Sequence, residues 1–221
     1  MLRNREEAGR LLADRLDLYR EDPSGLVLAL PRGGVVVGAV IAQRLRLPLD
    51  VIIVRKLGAP GCPEYALGAV SETGSVFMND EALAEFPLSD RELEALIASQ
   101  RGEIARQQAL YRKGRPLPSL EGRAVILVDD GIATGATFSA AAAAIKAARA
   151  GRLIAAIPVG PQDSLGRISR LVDELVVLAM PEPFHAVGQH YLDFSQVDDD
   201  EVLRALAQSP APSSEPSPGV A

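Results

Sequence analysis

Cysteine is almost missing from this 221-residue sequence, where Cys62 stands alone. No internal disulfide can form, and a reducing interior is the expected setting. Without a paired histidine, Cys62 reads as a tolerated thiol and not a nucleophile. Long apolar runs are missing too. The longest, residues 25–30 and 35–42, are separated by Pro31 and Arg32, and neither approaches the roughly 20 residues of a membrane helix. The start is charged, with Arg3, Arg5, Glu6 and Glu7 behind Leu2, unlike a secretory leader. These absences predict a cytoplasmic protein with no membrane partner. A net charge of −6 argues against nucleic acid as a partner of the surface as a whole. The only histidines, His185 and His190, lack the company of a zinc site. Lysine occurs only as Lys56, Lys113 and Lys146, and no function follows from that arginine bias. Neither a nucleotide P-loop nor a dinucleotide fingerprint occurs. Aromatics make up 4% of the chain, so a cluster of them carries weight.

What is present is ordinary for a globular domain: 48% hydrophobic and 24% charged residues. A chain of this length buries a core without staples. Residues 1–208 read as one domain, and residues 209–221, rich in Pro, Ser and Ala, as a disordered tail. Asn4 with Glu7 has the capping-box pattern, and Ala8, Leu11, Leu12, Leu16 and Tyr19 share a stripe, so a helix is expected over residues 5–20. Strands apolar on both faces are expected at residues 26–30, 49–54, 124–128, 153–158 and 174–178. Helices are expected between them, over residues 35–44, 89–113, 135–150 and 162–171. Residues 58–80 differ. Gly58, Pro60, Gly61 and Pro63 mark a mobile segment, with a hairpin of residues 66–70 and 75–78 around Glu72-Thr73-Gly74. The alternation predicts an α/β fold with a doubly wound, mostly parallel five-stranded sheet.

The segment V-I-L-V-D-D-G-I-A-T-G-A-T, residues 125–137, carries the chemistry. A buried strand ends in Asp129 and Asp130, a loop of small residues follows, and a helix begins. Ala133, Thr134, Gly135, Ala136 and Thr137 then stand at a helix N-terminus beyond the carboxyl end of a parallel strand. Free amides and the helix dipole favour a phosphate there. Gly135 admits close approach, and both threonines add hydroxyl donors. The adjacent carboxylates repel one another unless sugar hydroxyls or a hard cation compensate them.

This segment resembles the phosphoribosyl-diphosphate motif of the type I phosphoribosyltransferases. The resemblance extends over residues 25–194 and is most specific at residues 125–137. It implies that Asp129 and Asp130 take the ribose hydroxyls and hold Mg²⁺, and that residues 133–137 take the 5-phosphate. It also implies that Leu30-Pro31-Arg32-Gly33-Gly34 contacts the diphosphate. Arg32 offers a fork of donors, Gly33 and Gly34 permit unusual backbone geometry, and a strained peptide is expected between Pro31 and Gly33. Arg55 and Lys56 look like the basic pair of adenine-type members, with Lys56 reaching the diphosphate. As a plain strand end they are also solvated charges. Residues 58–80 match a flexible lid, or else an ordinary hairpin. Residues 181–196 match a hood over the acceptor, with Phe184, Tyr191 and Phe194 as stacking candidates, although core packing is the commoner fate of such rings.

The pattern departs from the family in one respect. Hypoxanthine-type members carry an Asp where Ala133 stands. Adenine-type members use a lid glutamate, which points to Glu64 as acid/base, with Glu72 second. The partners implied are 5-phosphoribosyl-1-diphosphate and a nitrogen acceptor, a nucleobase, in a homodimer. Three functions are compatible with these residues: phosphoribosyl transfer, a sensor of the same fold that binds without turnover, and a binding module for another sugar phosphate.

Overall fold

The computed structural model describes residues 1–210, apart from the side chains of residues 63 and 64. The tail expected over residues 209–221 lies almost wholly outside the described residues. The chain runs α1 (Arg5–Arg15), β1 (Gly25–Ala29), α2 (Gly33–Leu45) and β2 (Leu49–Val51). Next come β3 (Val54–Ala59), β4 (Cys62–Ser71), β5 (Val76–Met78), α3 (Asp80–Glu85) and α4 (Asp90–Arg112). The rest is β6 (Ala124–Val128), α5 (Ala136–Ala147), β7 (Arg152–Val159), α6 (Gln162–Ser169), β8 (Glu174–Ala179) and α7 (Asp199–Gln208).

Five strands pair in parallel in the order β2-β1-β6-β7-β8. Successive side chains on a strand point to opposite faces. Here both faces are covered, which is why the strands read as unbroken apolar runs. Val27, Ala29, Ile126, Val128, Ile154 and Ala156 join Leu12, Val37 and Ile41 of α1 and α2 in one core. Leu26, Leu28, Val125, Leu127, Leu153 and Ala155 join Phe138, Ile145, Leu165 and Ile168 of α5 and α6 in the other. Each such large apolar side chain contributes about 1.5–3 kcal/mol of burial.

The N-terminal helix is shorter than its periodicity predicts. It ends at Arg15, and a single 3-10 turn, Asp17–Tyr19, carries Tyr19 into the core. Asn4 accepts from the Glu7 amide at 2.9 Å, but the Glu7 carboxylate accepts from the Arg3 amide, so the expected box does not close. The box at Ser89 and Glu92 does close and starts α4. The second core strand also differs. It stops at Val51, and the chain leaves the sheet before β3 begins at Val54. Nothing in the uniform V-I-I-V run marks that break.

The segment over residues 58–80 is more than one hairpin. β4 pairs antiparallel with both β5 and β3, forming a three-stranded sheet. The predicted β4–β5 hairpin is present, with Gly68 opposite Met78. The sheet packs on α5. An ion cluster ties it to the body. Arg112, 1% exposed, bonds the Asp50 carboxylate from β2 at 3.1 Å and both oxygens of Glu72 from the β4–β5 turn. Glu72 also accepts from the Ile53 amide and from Gln108, both at 2.9 Å. Glu72, second candidate for the acid/base, is thus a buried structural anion with every acceptor direction used. No described helix is long and apolar enough to cross a membrane.

Candidate functional site

β6 delivers Asp129 and Asp130 to the carboxyl end of the sheet, beside the start of α2. The Pro-Arg-Gly-Gly segment lies against them. Its peptide between Pro31 and Arg32 is cis, within the stretch where the resemblance locates an unusual peptide. Arg32 caps α2, and Gly33 and Gly34 form its first turn. The glycines are needed for space here, and not for a special dihedral as the sequence suggests. A Cβ on Gly33 would lie 1.9 Å from Asp130 Oδ2, and one on Gly34 would lie 2.9 Å from the Val128 carbonyl oxygen.

Beyond the acids the chain turns through Ala133 and Thr134, both exposed, to Gly135. Gly135 sits in the left-handed region at φ +76° and starts α5. At this position the backbone conformation itself favours glycine, a reason other than the close approach read from the sequence. Thr137 is half-buried, so neither threonine is packed into the core. The first-turn amides of α5 have no intrahelical partners, and that of Ala136 donates to the Thr134 hydroxyl at 3.5 Å. α6 braces the loop from behind: Ser164 donates to the Ala133 carbonyl at 2.6 Å, and Arg167 donates to the Thr134 carbonyl at 3.3 Å. This support leaves no mark in the sequence motif.

Two further residues meet Asp130. Arg5, from the first turn of α1, donates from Nε to Asp130 Oδ2 at 2.7 Å. The Tyr191 hydroxyl donates to the Asp130 carbonyl at 2.6 Å. Tyr191 is 5% exposed, and its ring stacks on Phe194 at 5.0 Å. It therefore packs beneath the acids, a correction to its expected place as an open stacking platform. Phe184 stacks on His190 at 5.0 Å and is half-buried beside Tyr191.

The basic candidates stand apart from this nucleus. Arg32 is exposed, and its guanidinium lies 3.9 Å from Asp199 at the start of α7. Arg55 and Lys56 belong to β3, not to the main sheet, and Arg55 bonds Gln100 of α4 at 3.4 Å. The Glu64 side chain lies outside the described residues.

Burial and the adjacent Asp130 charge push the Asp129 carboxyl well above the ordinary carboxylate range. Burial also raises Asp130, against the pull of Arg5. Each acid has one oxygen engaged within the protein, since Asp129 Oδ1 accepts from the Asp130 amide at 2.9 Å. Such a pair calls for hydroxyl donors or a cation. Among the described residues no group of three or more acidic, histidine or cysteine side chains could hold a metal. The donor set fits a Mg²⁺ that takes one or two carboxylates and completes its shell with substrate oxygens and water.

Comparison with known proteins bears on this geometry. Residues 2–191 match the family described as phosphoribosyl transferase domain. A Mycobacterium tuberculosis protein, known from strains H37Rv and CDC 1551 and named "Putative phosphoribosyl transferase", is 43% identical over 203 residues. The match covers 92% of this chain and 46% of the relative, so the chain spans about half the length of the curated relatives it matches. The crystal structure of the Thermus thermophilus protein TT1426 is similar throughout, with 43% identity, a TM-score of 0.78, and coverage of 93% of this chain and 97% of that one.

Proposed function

Because the chain belongs to the phosphoribosyl transferase domain family, we propose that it binds 5-phosphoribosyl-1-diphosphate at the carboxyl end of its parallel sheet and transfers the phosphoribosyl group to a nitrogen acceptor, a nucleobase. The observation that carries this reading is the adjacency of two raised carboxyls to a glycine-started helix N-terminus. One suits vicinal hydroxyls and the other a monoester. A sugar phosphate spans both.

In the reaction the bond from ribose C1 to the diphosphate oxygen breaks and a C1–nitrogen bond forms, with oxocarbenium character between. Residues 134–137 and the acid pair hold the sugar at its two ends, which fixes C1 against the acceptor. Arg32 and Lys56 meet the charge that develops on the departing diphosphate. Asp129 and Asp130 would hold Mg²⁺, which would supply further positive charge to the phosphate oxygens. The small sheet over residues 58–80 acts as the lid that excludes water, and residues 181–196 as the hood, with Phe184 toward the acceptor. Glu64 on β4 moves the acceptor proton. A homodimer in a reducing interior completes the reading.

Diphosphate release with 5-phosphoribosyl-1-diphosphate, Mg²⁺ and a panel of nucleobases tests it. Release with at least one base is expected. Saturable binding without release for any base would reassign the chain as a sensor of the same ligand. Glu64→Gln is expected to lower kcat at least about tenfold, and unchanged turnover would remove Glu64 from the mechanism. Gly33→Ala is expected to weaken ligand binding by about tenfold or more, because its methyl displaces Asp130 from Arg5. Isothermal calorimetry reads this directly, and wild-type affinity would show that the close approach does not matter.

A further inference from the structure

Resting on that reading, we infer that Arg5 is a positioning residue for ribose recognition. It holds Asp130 turned so that one carboxylate oxygen is left for a sugar hydroxyl. Arg5 is 9% exposed, rare for an arginine, and a buried charge of this kind persists only when paired. Its guanidinium is fixed on three sides. Nε meets Asp130 Oδ2 at 2.7 Å, Nη1 meets the Ser195 carbonyl at 2.8 Å, and the Phe194 ring lies 3.8 Å beneath the central carbon.

The contact to Asp130 is made through one nitrogen and one oxygen. A fork-to-fork pair would consume both oxygens of the acid. Here the second guanidinium arm goes to Ser195 instead, so the arginine restrains the carboxylate without filling it. Gly33 closes the remaining side, since a Cβ there would lie 2.9 Å from Arg5 Nε. The backbone holds the clamp itself. Leu2 pairs with Tyr191 in a parallel bridge, Leu192 donates to the Leu2 carbonyl at 2.8 Å, and Asp193 donates to the Arg3 carbonyl at 2.9 Å. The segment before α1 and the segment between β8 and α7 are zipped together near Asp130, and Tyr191 adds its bond to the Asp130 carbonyl. A bond that only joined these two segments would need none of this orientation.

The test compares ribose 5-phosphate with its 2,3-dideoxy analogue by calorimetry, with inorganic phosphate as a control for the cradle. The wild type is expected to prefer the ribose compound by about tenfold or more, the value of a charged hydrogen bond. In Arg5→Met the preference is expected to fall to about twofold or less while phosphate affinity stays unchanged. Arg5→Lys should recover part of it, because charge is kept but the planar fork is lost. If Arg5→Met does not fold, Phe194→Leu decides. It loosens the clamp, leaves the ion pair, and should lower the preference at least about threefold. A folded Arg5→Met, or a Phe194→Leu, that keeps the full preference overturns the inference alone. A wild type with no preference overturns the hydroxyl-binding reading and this inference with it.

Discussion

Asp129→Asn and Asp130→Asn together are expected to weaken binding of 5-phosphoribosyl-1-diphosphate by at least about 100-fold, since two charged hydrogen bonds are lost. The single variants should part on stability. Asp129 has its carboxyl raised by burial and by the charge of Asp130. The folded protein therefore holds that proton more tightly than the unfolded chain does. As pH rises from the ordinary carboxylate range through the raised value, the folded state gives up more protons than the unfolded state, and stability falls. The cost is complete only above the raised value, and Asp129→Asn removes it. The melting midpoint should rise by about 2–4 °C for each kcal/mol of repulsion relieved. The gain should shrink toward acid pH, where the wild-type acid regains its proton. Asp130→Asn removes the partner of the buried Arg5 and should lower the midpoint. Thermal melts of both variants at pH 4 and pH 7 read the difference. A stabilised Asp130→Asn would mean that the Arg5 pair is not what holds this corner.

Arg112→Met is expected to produce the largest loss of stability in the molecule, about 3–5 kcal/mol, or about 6–20 °C in melting midpoint. Arg112 is the common partner of Asp50 and Glu72, whose side chains are 10% and 2% exposed. Removing it leaves two anions without their cation. The Asp50 carboxyl is already raised, because burial outweighs the pull of Arg112. Without the arginine it rises further, so the deficit should be greatest at neutral pH and smaller toward pH 5, as Asp50 takes up a proton. Glu72→Gln in the Arg112→Met background should return part of the loss. Urea unfolding at both pH values checks each point. The loss should be accompanied by detachment of the small sheet, since Glu72 is its link to β2 through Arg112. Slower hydrogen exchange at β4 in the variant would contradict that.

The contrast between the acid pair and Arg112 shows what a linear reading captures. The five core strands and the loop after β6 are local statements. Their apolar runs, the two aspartates and Gly135 lie together in sequence, and the backbone geometry follows from neighbours. Arg5 and Asp130 are 125 positions apart, and Arg112 lies 62 from Asp50 and 40 from Glu72. No periodicity links such pairs, and in a chain with many arginines neither one stands out. The break between β2 and β3 was equally hidden, because an apolar residue suits the end of a buried strand and the start of another. α7 was different. Asp198 and Glu201 close a capping box ahead of Val202, Leu203 and Leu206, and that signal was in the sequence. Tyr191 was legible as a site aromatic but not as a support, since whether a ring packs or stacks depends on which side of it the fold covers.

The central claim is that one pocket joins the amides at the start of α5 to the Asp129–Asp130 pair. A crystal structure with 5-phosphoribosyl-1-diphosphate and Mg²⁺ at saturating concentration tests it most directly. The account predicts the 5-phosphate within hydrogen-bonding distance of the backbone amides of residues 134–137, with the ribose hydroxyls on Asp129 and Asp130. Ligand density elsewhere on the chain, or an empty cradle at saturation, would contradict it.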